Sequence, residues 1–205
     1  MERSFRKINL KRDVMGPNLY LGLVHHPIYD RRREIVATAV TNFDIHDIAR
    51  CARTFGLGGF YMITPLESQV QLVKRVIQHW VEGYGSIYNP TRKESLSLVR
   101  VSRSIEEADR EISNLWGKEV RRIATAASPH PKNISFATFR KLLEDRETPF
   151  FILFGTGWGL AQEVKDGSDY VLNPIKGVGY NHLSVRSAIA IILDRLVGDR
   201  MIDSE

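Results

Sequence analysis

A chain of 205 residues with 43% hydrophobic content is long enough for one large domain around a sizeable core. Its net charge of +5 favours an anionic partner, and the excess is gathered at residues 6–12, 31–33, 91–93 and 121–122, a distribution compatible with nucleic acid as well as with solvated loops. The single cysteine, Cys51, excludes an intramolecular disulfide, the apolar runs fall far short of the roughly 20 residues of a membrane helix, and the basic N-terminus does not read as a signal peptide, so a soluble, cytoplasmic protein is expected.

Residues 1–17 read as a loose basic segment and 18–201 as a single domain. The apolar stretch 18–26 predicts a buried strand, and 34–41 a second one. Asp44 and Asp47 resemble a capping box ahead of a helix carrying Ile45, Ile48, Ala49, Ala52 and Phe55 at helical spacing. A strand over 59–64 runs into a helix whose start is read as Thr64 at the cap, Pro65 at the first position and Glu67 answering, with Val70, Val73, Ile77, Trp80 and Val81 as its apolar stripe. Glycine, proline and polar residues predict a loop over 82–95. Then follow a strand over 96–101, a helix over 104–116 capped by Ser104 and Glu107, a strand over 120–126, a helix over 135–145 and a strand over 149–154. A short helix, the brief strand 169–172 and a last long helix through Val185, Ile189, Ile192 and Leu196 complete the pattern. Alternation of strands and helices predicts an α/β fold, a mostly parallel sheet with helices on both faces. Ligands of such sheets bind beyond the carboxyl ends of the strands, here 124–128, 154–159 and 172–179, all rich in glycine, proline or small residues.

Within "FILFGTGWGL" (151–160), Gly155, Gly157 and Gly159 alternate directly after a buried strand. Glycines in this pattern serve either a tight connection or the close approach of a ligand to the backbone. The run matches neither a dinucleotide fingerprint nor a P-loop. His25, His26 and His46 lack the spacing of a metal site, so no metal is expected, and Cys51 reads as core rather than nucleophile.

Three segments together carry a resemblance. "TNFDIHDIARCARTFG" (41–56) places Arg50 five residues before the pair Phe55–Gly56; "FILFGTGWGL" follows a hydrophobic strand with a glycine-rich loop; "LNPIKGVGYNHLSVRSAIAIILDRL" (172–196) combines a proline, a glycine-containing loop and a helix start. In this order the segments resemble the three motifs of the SPOUT (SpoU–TrmD) superfamily of RNA methyltransferases, and the standalone SAM-dependent RNA methyltransferase family above all.

The resemblance implies a C-terminal trefoil knot, S-adenosylmethionine as cofactor, and a homodimer acting on RNA, most of all tRNA. It implies a cofactor site from Thr125, Leu153, Phe154, Gly155, Thr156, Gly157, Leu172, Asn173, Pro174, Ile175, Asn181, His182 and Leu183, with Leu153, Leu172, Ile175 and Leu183 expected to sandwich the adenine. Arg50 is implied as the residue activating a ribose 2′-hydroxyl, its alternative being a surface pair with Asp47. Asn42 would position Arg50 or serve a cap, and Ser184 would touch substrate or cap its own helix. The alternative chemistry is methylation of a base nitrogen of the guanine-N1 type, with Asp44 as base; a non-catalytic RNA-binding knot is the alternative of another class. Arg31, Arg32 and Arg33, with Tyr84, Tyr88, Arg92 and Lys93, mix basic and aromatic residues as RNA contacts do, or decorate solvated loops.

Overall fold

The computed structural model describes residues 18–198; the basic cluster at 6–12 and the end of the expected domain at 199–201 lie outside them. Among the described residues nine strands appear: β1 (Leu19–Val24), β2 (Ile28–Tyr29), β3 (Ile35–Val36), β4 (Gly59–Ile63), β5 (Val99–Ser102), β6 (Arg121–Thr125), β7 (Asn133–Ile134), β8 (Phe150–Gly155) and β9 (Tyr170–Leu172). Eight helices accompany them: α1 (Asn42–Thr54), α2 (Glu67–Val81), α3 (Gly85–Tyr88), α4 (Pro90–Leu96), α5 (Ile105–Trp116), α6 (Phe136–Leu142), α7 (Gln162–Asp166) and α8 (Val185–Leu193), the last continued by a π-helical turn, Asp194–Gly198.

Seven strands form one sheet in the order β5-β4-β1-β8-β6-β9-β7, parallel throughout. Side chains alternate along each central strand and feed two cores. Leu19, Leu21 and Leu23 of β1 join Phe150, Ile152 and Phe154 of β8 under α1, α6 and α8. Tyr20 and Val24, with Phe151 and Leu153, join Ile105, Ala108, Ile112 and Trp116 of α5 on the other face. There the Trp116 indole N–H donates to the Tyr20 hydroxyl at 2.9 Å, which satisfies both polar ends inside an apolar layer. The predicted α/β architecture is the observed one.

Four expectations are corrected. Residues 34–41 do not form a buried strand: only Ile35–Val36 pair, antiparallel with β2, and Ile35 is half exposed because no second layer covers this small hairpin. The segment 82–95 is not a loop but holds α3 and α4. Asn89 caps α4 by accepting from the Arg92 N–H, and Pro90 occupies the first helical position, where its missing N–H costs nothing. Helix α1 is capped not by an Asp44–Asp47 box but by Thr41, whose hydroxyl accepts from the Asp44 N–H and donates to the Asp44 carboxylate at 2.6 Å. Helix α2 likewise starts at Glu67 with no side-chain cap. The Ser104 cap of α5 is as expected, and the helix ends at Gly117 in the left-handed conformation.

Gly22 sits in the centre of β1 where a strand ordinarily prefers a larger residue. A Cβ there would lie 2.7 Å from Phe151 Cζ and 2.9 Å from Leu153 Cδ2. Both belong to the neighbouring strand, so the absence of a side chain lets β8 pack its large residues over β1. Gly22→Ala is therefore expected to cost about 1–3 kcal/mol by overpacking, read as a lower urea midpoint at an unchanged denaturant slope.

Candidate active site at the carboxyl edge of the sheet

Because β8, β6 and β9 are adjacent, the three strand ends expected to form a crevice do lie side by side. Ala124 is in register with Leu153 and Thr125 with Leu172, and the Thr125 hydroxyl donates to the Leu153 carbonyl at 2.9 Å, tying the end of β6 to β8. The segments that leave β8 and β9, residues 156–161 and 173–184, therefore emerge from one edge of the molecule.

The glycine turn after β8 is docked on the β2–β3 hairpin. The Trp158 N–H donates to the Tyr29 carbonyl at 3.0 Å, and the Tyr29 N–H returns a bond to Gly159 at 2.9 Å. A Cβ on Gly157, which has φ +56°, would lie 2.8 Å from Ile28 Cδ1; one on Gly155 would meet the Leu160 backbone N at 2.5 Å. The close approach at these two positions is thus made by the hairpin and by the turn itself, which is the tight-connection alternative rather than ligand contact.

Under this turn runs a polar relay. Thr156 Oγ1 donates to the Val24 carbonyl at 3.1 Å and lies 2.5 Å from Thr38 Oγ1, which lies 3.0 Å from His25 Nδ1. Each hydroxyl has one proton to give. With the Thr156 proton on Val24 and the Thr38 proton on Thr156, His25 must donate from Nδ1, leaving Nε2 as a bare acceptor. That Nε2 is buried without a partner, and His25 is fully buried. Burial pushes its pKa down to about 4, against the smaller upward pull of Asp44 and Thr38. No group of His, Cys, Asp or Glu among the described residues is arranged to hold a metal ion.

At the entrance, α8 meets the start of α1. Arg186 Nη1 donates to Asp47 at 2.8 Å, its Nε lies 3.5 Å from Asp44, and its guanidinium lies 5.5 Å from the centre of the Phe43 ring. Asp44 is only 8% exposed and already committed to Thr41; Asp47 is the open carboxylate of the two. Sequence reasoning missed Arg186, although two acids one helical turn apart call for a cation and the helix start after residue 184 is where one stands.

Asp47 is thus paired with Arg186 and not with Arg50. Among the described residues Arg50 forms no ion pair. It is exposed in a pocket of about 310 Å³ shared with Arg53, Asn89, Thr91 and Arg92, where Glu94 pairs with Arg53. Asn42 lines a different pocket, against Leu72, Val76 and Trp80 of α2, so the two expected partners are not brought together. Ser184 caps α8 by accepting from the Ser187 N–H at 3.2 Å.

Of the residues implied for a cofactor, Leu153, Phe154 and Leu172 are buried core. Leu153 and Leu172 belong to opposite faces of the sheet, so their side chains cannot sandwich one ring; only their backbones reach the edge. Thr156 is committed to the relay. Asn173, Pro174 and Ile175 leave β9 at the edge, with Ile175 packed partly on the core. Asn181 donates to the Ala127 carbonyl at 2.9 Å, linking the 173–184 segment to the loop after β6, and His182 stacks edge-on against Tyr180. Leu183 is exposed.

The expected RNA contacts form two separate surfaces. Arg31, Arg32 and Arg33 occupy the exposed tip of the β2–β3 hairpin. Tyr84, just before α3, and Tyr88, at its end, stack with ring centres 6.2 Å apart, and Arg92 lies over the Trp80 ring at 4.5 Å next to the exposed Lys93. The apolar stripe of α8 is buried against α1 and β8 within the chain, so it supplies no argument for dimerisation. No helix among the described residues is long and apolar enough to cross a membrane.

A sequence model of the family described as SAM-dependent RNA methyltransferase matches residues 18–198. A tRNA (guanine-N(1)-)-methyltransferase of Oleidesulfovibrio alaskensis is 45% identical over 191 residues, covering 93% of this chain but 44% of the relative. The chain thus spans less than half the length of this curated relative. Among solved structures, the SpoU methyltransferase AviRb of Streptomyces viridochromogenes, in complex with AdoMet, superposes with a TM-score of 0.57 at 18% identity, covering 92% of this chain and 61% of that one. A TrmH/SpoU tRNA modifying enzyme of Aquifex aeolicus gives a TM-score of 0.54 at 16% identity, with coverage of 95% and 83%. At these identities the structural likeness speaks for the fold.

The buried, neutral His25 has a measurable consequence. Its folded-state pKa lies below the ordinary 6.5, so the unfolded chain takes up the proton first and stability declines as pH falls from about 6.5 through about 4. The wild type should lose roughly 3 kcal/mol more than His25→Gln across that window, seen as a gap between their plots of unfolding free energy against pH.

Proposed function

The chain belongs to the SAM-dependent RNA methyltransferase family, and on that premise we propose that it transfers the methyl group of S-adenosylmethionine to tRNA, at a base nitrogen of guanine. The observation that carries the acceptor is the pair Asp44 and Asp47, gathered by Arg186 beside the segment that leaves β9. Guanine N1 bears a proton that must leave as the methyl arrives, and a positioned carboxylate receives it. The open Asp47 suits this role better than the buried Asp44, which holds Thr41 and the start of α1 in place. The name of the 45% identical relative supports the same acceptor, although that name belongs to a protein more than twice the matched length.

The residues at the edge fit the cofactor. Gly159, at φ +94°, has open space where a Cβ would stand, so a ligand can come close to the turn there while its N–H and C=O remain bonded to Thr156 and Tyr29. Val178 and Leu183 expose apolar surface on the same 173–184 segment that carries Asn173 and Asn181. Such apolar walls with a few convergent polar groups are what an adenosine needs. When bound, S-adenosylmethionine supplies an electrophilic methyl on its sulfonium. The chain's part is to hold the acceptor in line, to keep water out and to take the proton. The chain path, with β8 inserted between β1 and β6 and α8 returning to α1, is consistent with the knot that the family resemblance implies.

One observation favours a second reading, transfer to a ribose 2′-hydroxyl. Arg50 carries no ion pair among the described residues and stands open beside Arg92, available to a hydroxyl or its neighbouring phosphate. A guanidinium does not act as a base near neutral pH, so it would lower the hydroxyl's pKa rather than take its proton.

Labelled methyl transfer to unmodified bulk tRNA, followed by nucleoside analysis, separates the readings. The expected product is a base-methylated guanosine, with Asp47→Asn lowering turnover by about two orders of magnitude at unchanged cofactor affinity. A ribose-methylated nucleoside, with the same loss in Arg50→Ala, would establish the second reading instead. No methyl transfer to any RNA would leave the non-catalytic alternative.

A further inference from the structure

Trp158 stands at the apex of the turn after β8, and its indole is 60% exposed. The fold does not need it there: no described aromatic ring packs on it, and its indole N–H donates to no described residue. The backbone beneath it, in contrast, is held firmly. The Trp158 backbone N–H bonds to Tyr29, the Tyr29 N–H to Gly159, and the Gly159 N–H to Thr156 at 2.9 Å. A large aromatic left this exposed on a firmly held backbone is unusual in a turn rich in glycine.

The same two bonds to Tyr29 tie the Trp158 backbone to the strand that leads into the hairpin tip. Arg31, Arg32 and Arg33 are all exposed there, and none forms an ion pair among the described residues. Of the two acids that flank them, Asp30 is engaged by the backbone, its Oδ1 accepting from the N–H groups of Arg32 at 2.7 Å and Glu34 at 2.9 Å, and the exposed Glu34 forms no ion pair among the described residues. Those bonds shape the tip, with Arg33 at φ +67° and its guanidinium 5.5 Å from the Tyr29 ring centre. From Tyr29 to Arg32 the chain advances at most about 10 Å, a span that neighbouring nucleotides bridge.

We propose that Trp158 is a stacking platform for one base of single-stranded RNA, with the arginine tip holding the adjoining phosphates. An open aromatic face flanked by unpaired cations is the arrangement that binds unpaired nucleotides: every base has a face to stack, and every linkage has a charge to neutralise. Bases inside a duplex hide their faces, so the occupant is a loop or an unpaired end. The proposal rests on the reading of the chain as an RNA methyltransferase and adds the place where the strand crosses the cofactor edge.

The test measures binding of the full chain to a fluorescently labelled, unstructured oligoribonucleotide by anisotropy. Trp158→Ala should weaken it roughly tenfold to a hundredfold, and Trp158→Phe, which keeps a ring, should restore most of the loss. RNA should quench the tryptophan emission of the wild type and not that of Trp158→Phe. Serine at Arg31, Arg32 and Arg33 should weaken binding and flatten its salt dependence by about 0.7 in log–log slope for each phosphate left without its arginine. Unchanged affinity in Trp158→Ala overturns the proposal. So does an equal loss of S-adenosylmethionine affinity by calorimetry, which would make the ring a cofactor wall, or a wild-type dimer that Trp158→Ala dissociates in light scattering, which would give the face to a second copy. The assay does not depend on turnover: a protein that binds as expected but methylates nothing loses its enzymatic reading alone, and one that methylates tRNA while Trp158→Ala binds normally loses the platform alone.

Discussion

The position of β8 governs the rest of the molecule. Leu19 is in register with Phe150 on one side of it, and Arg121 with the same Phe150 on the other, so one late strand completes the backbone hydrogen bonding of two earlier ones. Until it enters, β1 and β6 each present an unpaired edge, and both apolar layers lack their central residues. Contacts so distant in sequence delay folding, because the entropy of chain closure is lost before burial offsets it. Gly22 is the accommodation on the receiving strand, giving Phe151 and Leu153 their space. The functional consequence is placement. The turn that follows β8 can only emerge at the middle of the sheet's carboxyl edge, with β1 and the hairpin on one side and β6 and β9 on the other.

Much of this architecture was legible because it rests on local signals. Alternation of short apolar strands with amphipathic helices, and a serine cap at Ser104, describe α5 and its neighbours without reference to the rest of the chain. The errors share a cause. Residues 34–41 have the apolar content of a strand, yet a strand needs a neighbour, and the sheet had no free edge near them. The segment 82–95 looked like a loop by composition, although Asn89 followed by Pro90 is the signature of a capped helix start. Propensity describes what a segment permits; pairing and packing decide among the permitted states.

The site was legible in its positions along the chain but not in the duties of its residues. The three strand ends rich in small residues do converge, because parallel strands must all end at one edge. The glycines among them were harder to read, since close approach by a ligand and close approach by one's own hairpin leave the same mark in a sequence. Only the distances from Gly157 to Ile28 and from Gly155 to Leu160 separate the two. Leu153 and Leu172 were misassigned as ring-sandwiching residues for a similar reason: the two-residue period of a strand tells that faces alternate, but not which face of one strand matches which of another. Arg186 escaped notice because its partners Asp44 and Asp47 are far away in sequence, and the ion pair exists only once α8 has returned to α1.

Charge is distributed unevenly over the ion pairs of the chain. At the amino end of β6 the cations are answered: Arg121 pairs with Asp169, Arg122 with Asp109 and Glu106, and nearby Lys118 with Glu147. Asp109 is buried enough there for its carboxyl to be pushed up to about 6, with Arg122 pulling the other way, which marks a network serving the fold. Elsewhere the answer is partial: Arg186 pairs with Asp47, Arg53 with Glu94 and Arg103 with Glu67, while other cations are left open. Arg31, Arg32, Arg33, Arg50 and Arg92 form no ion pairs among the described residues, and the burial that holds the His46 pKa down is reinforced by the cations Arg92 and Arg50. The hairpin tip that carries Arg31, Arg32 and Arg33 is tied to the glycine turn through Tyr29, so the topology that forces this turn to the middle of the sheet also sets exposed positive charge close to it.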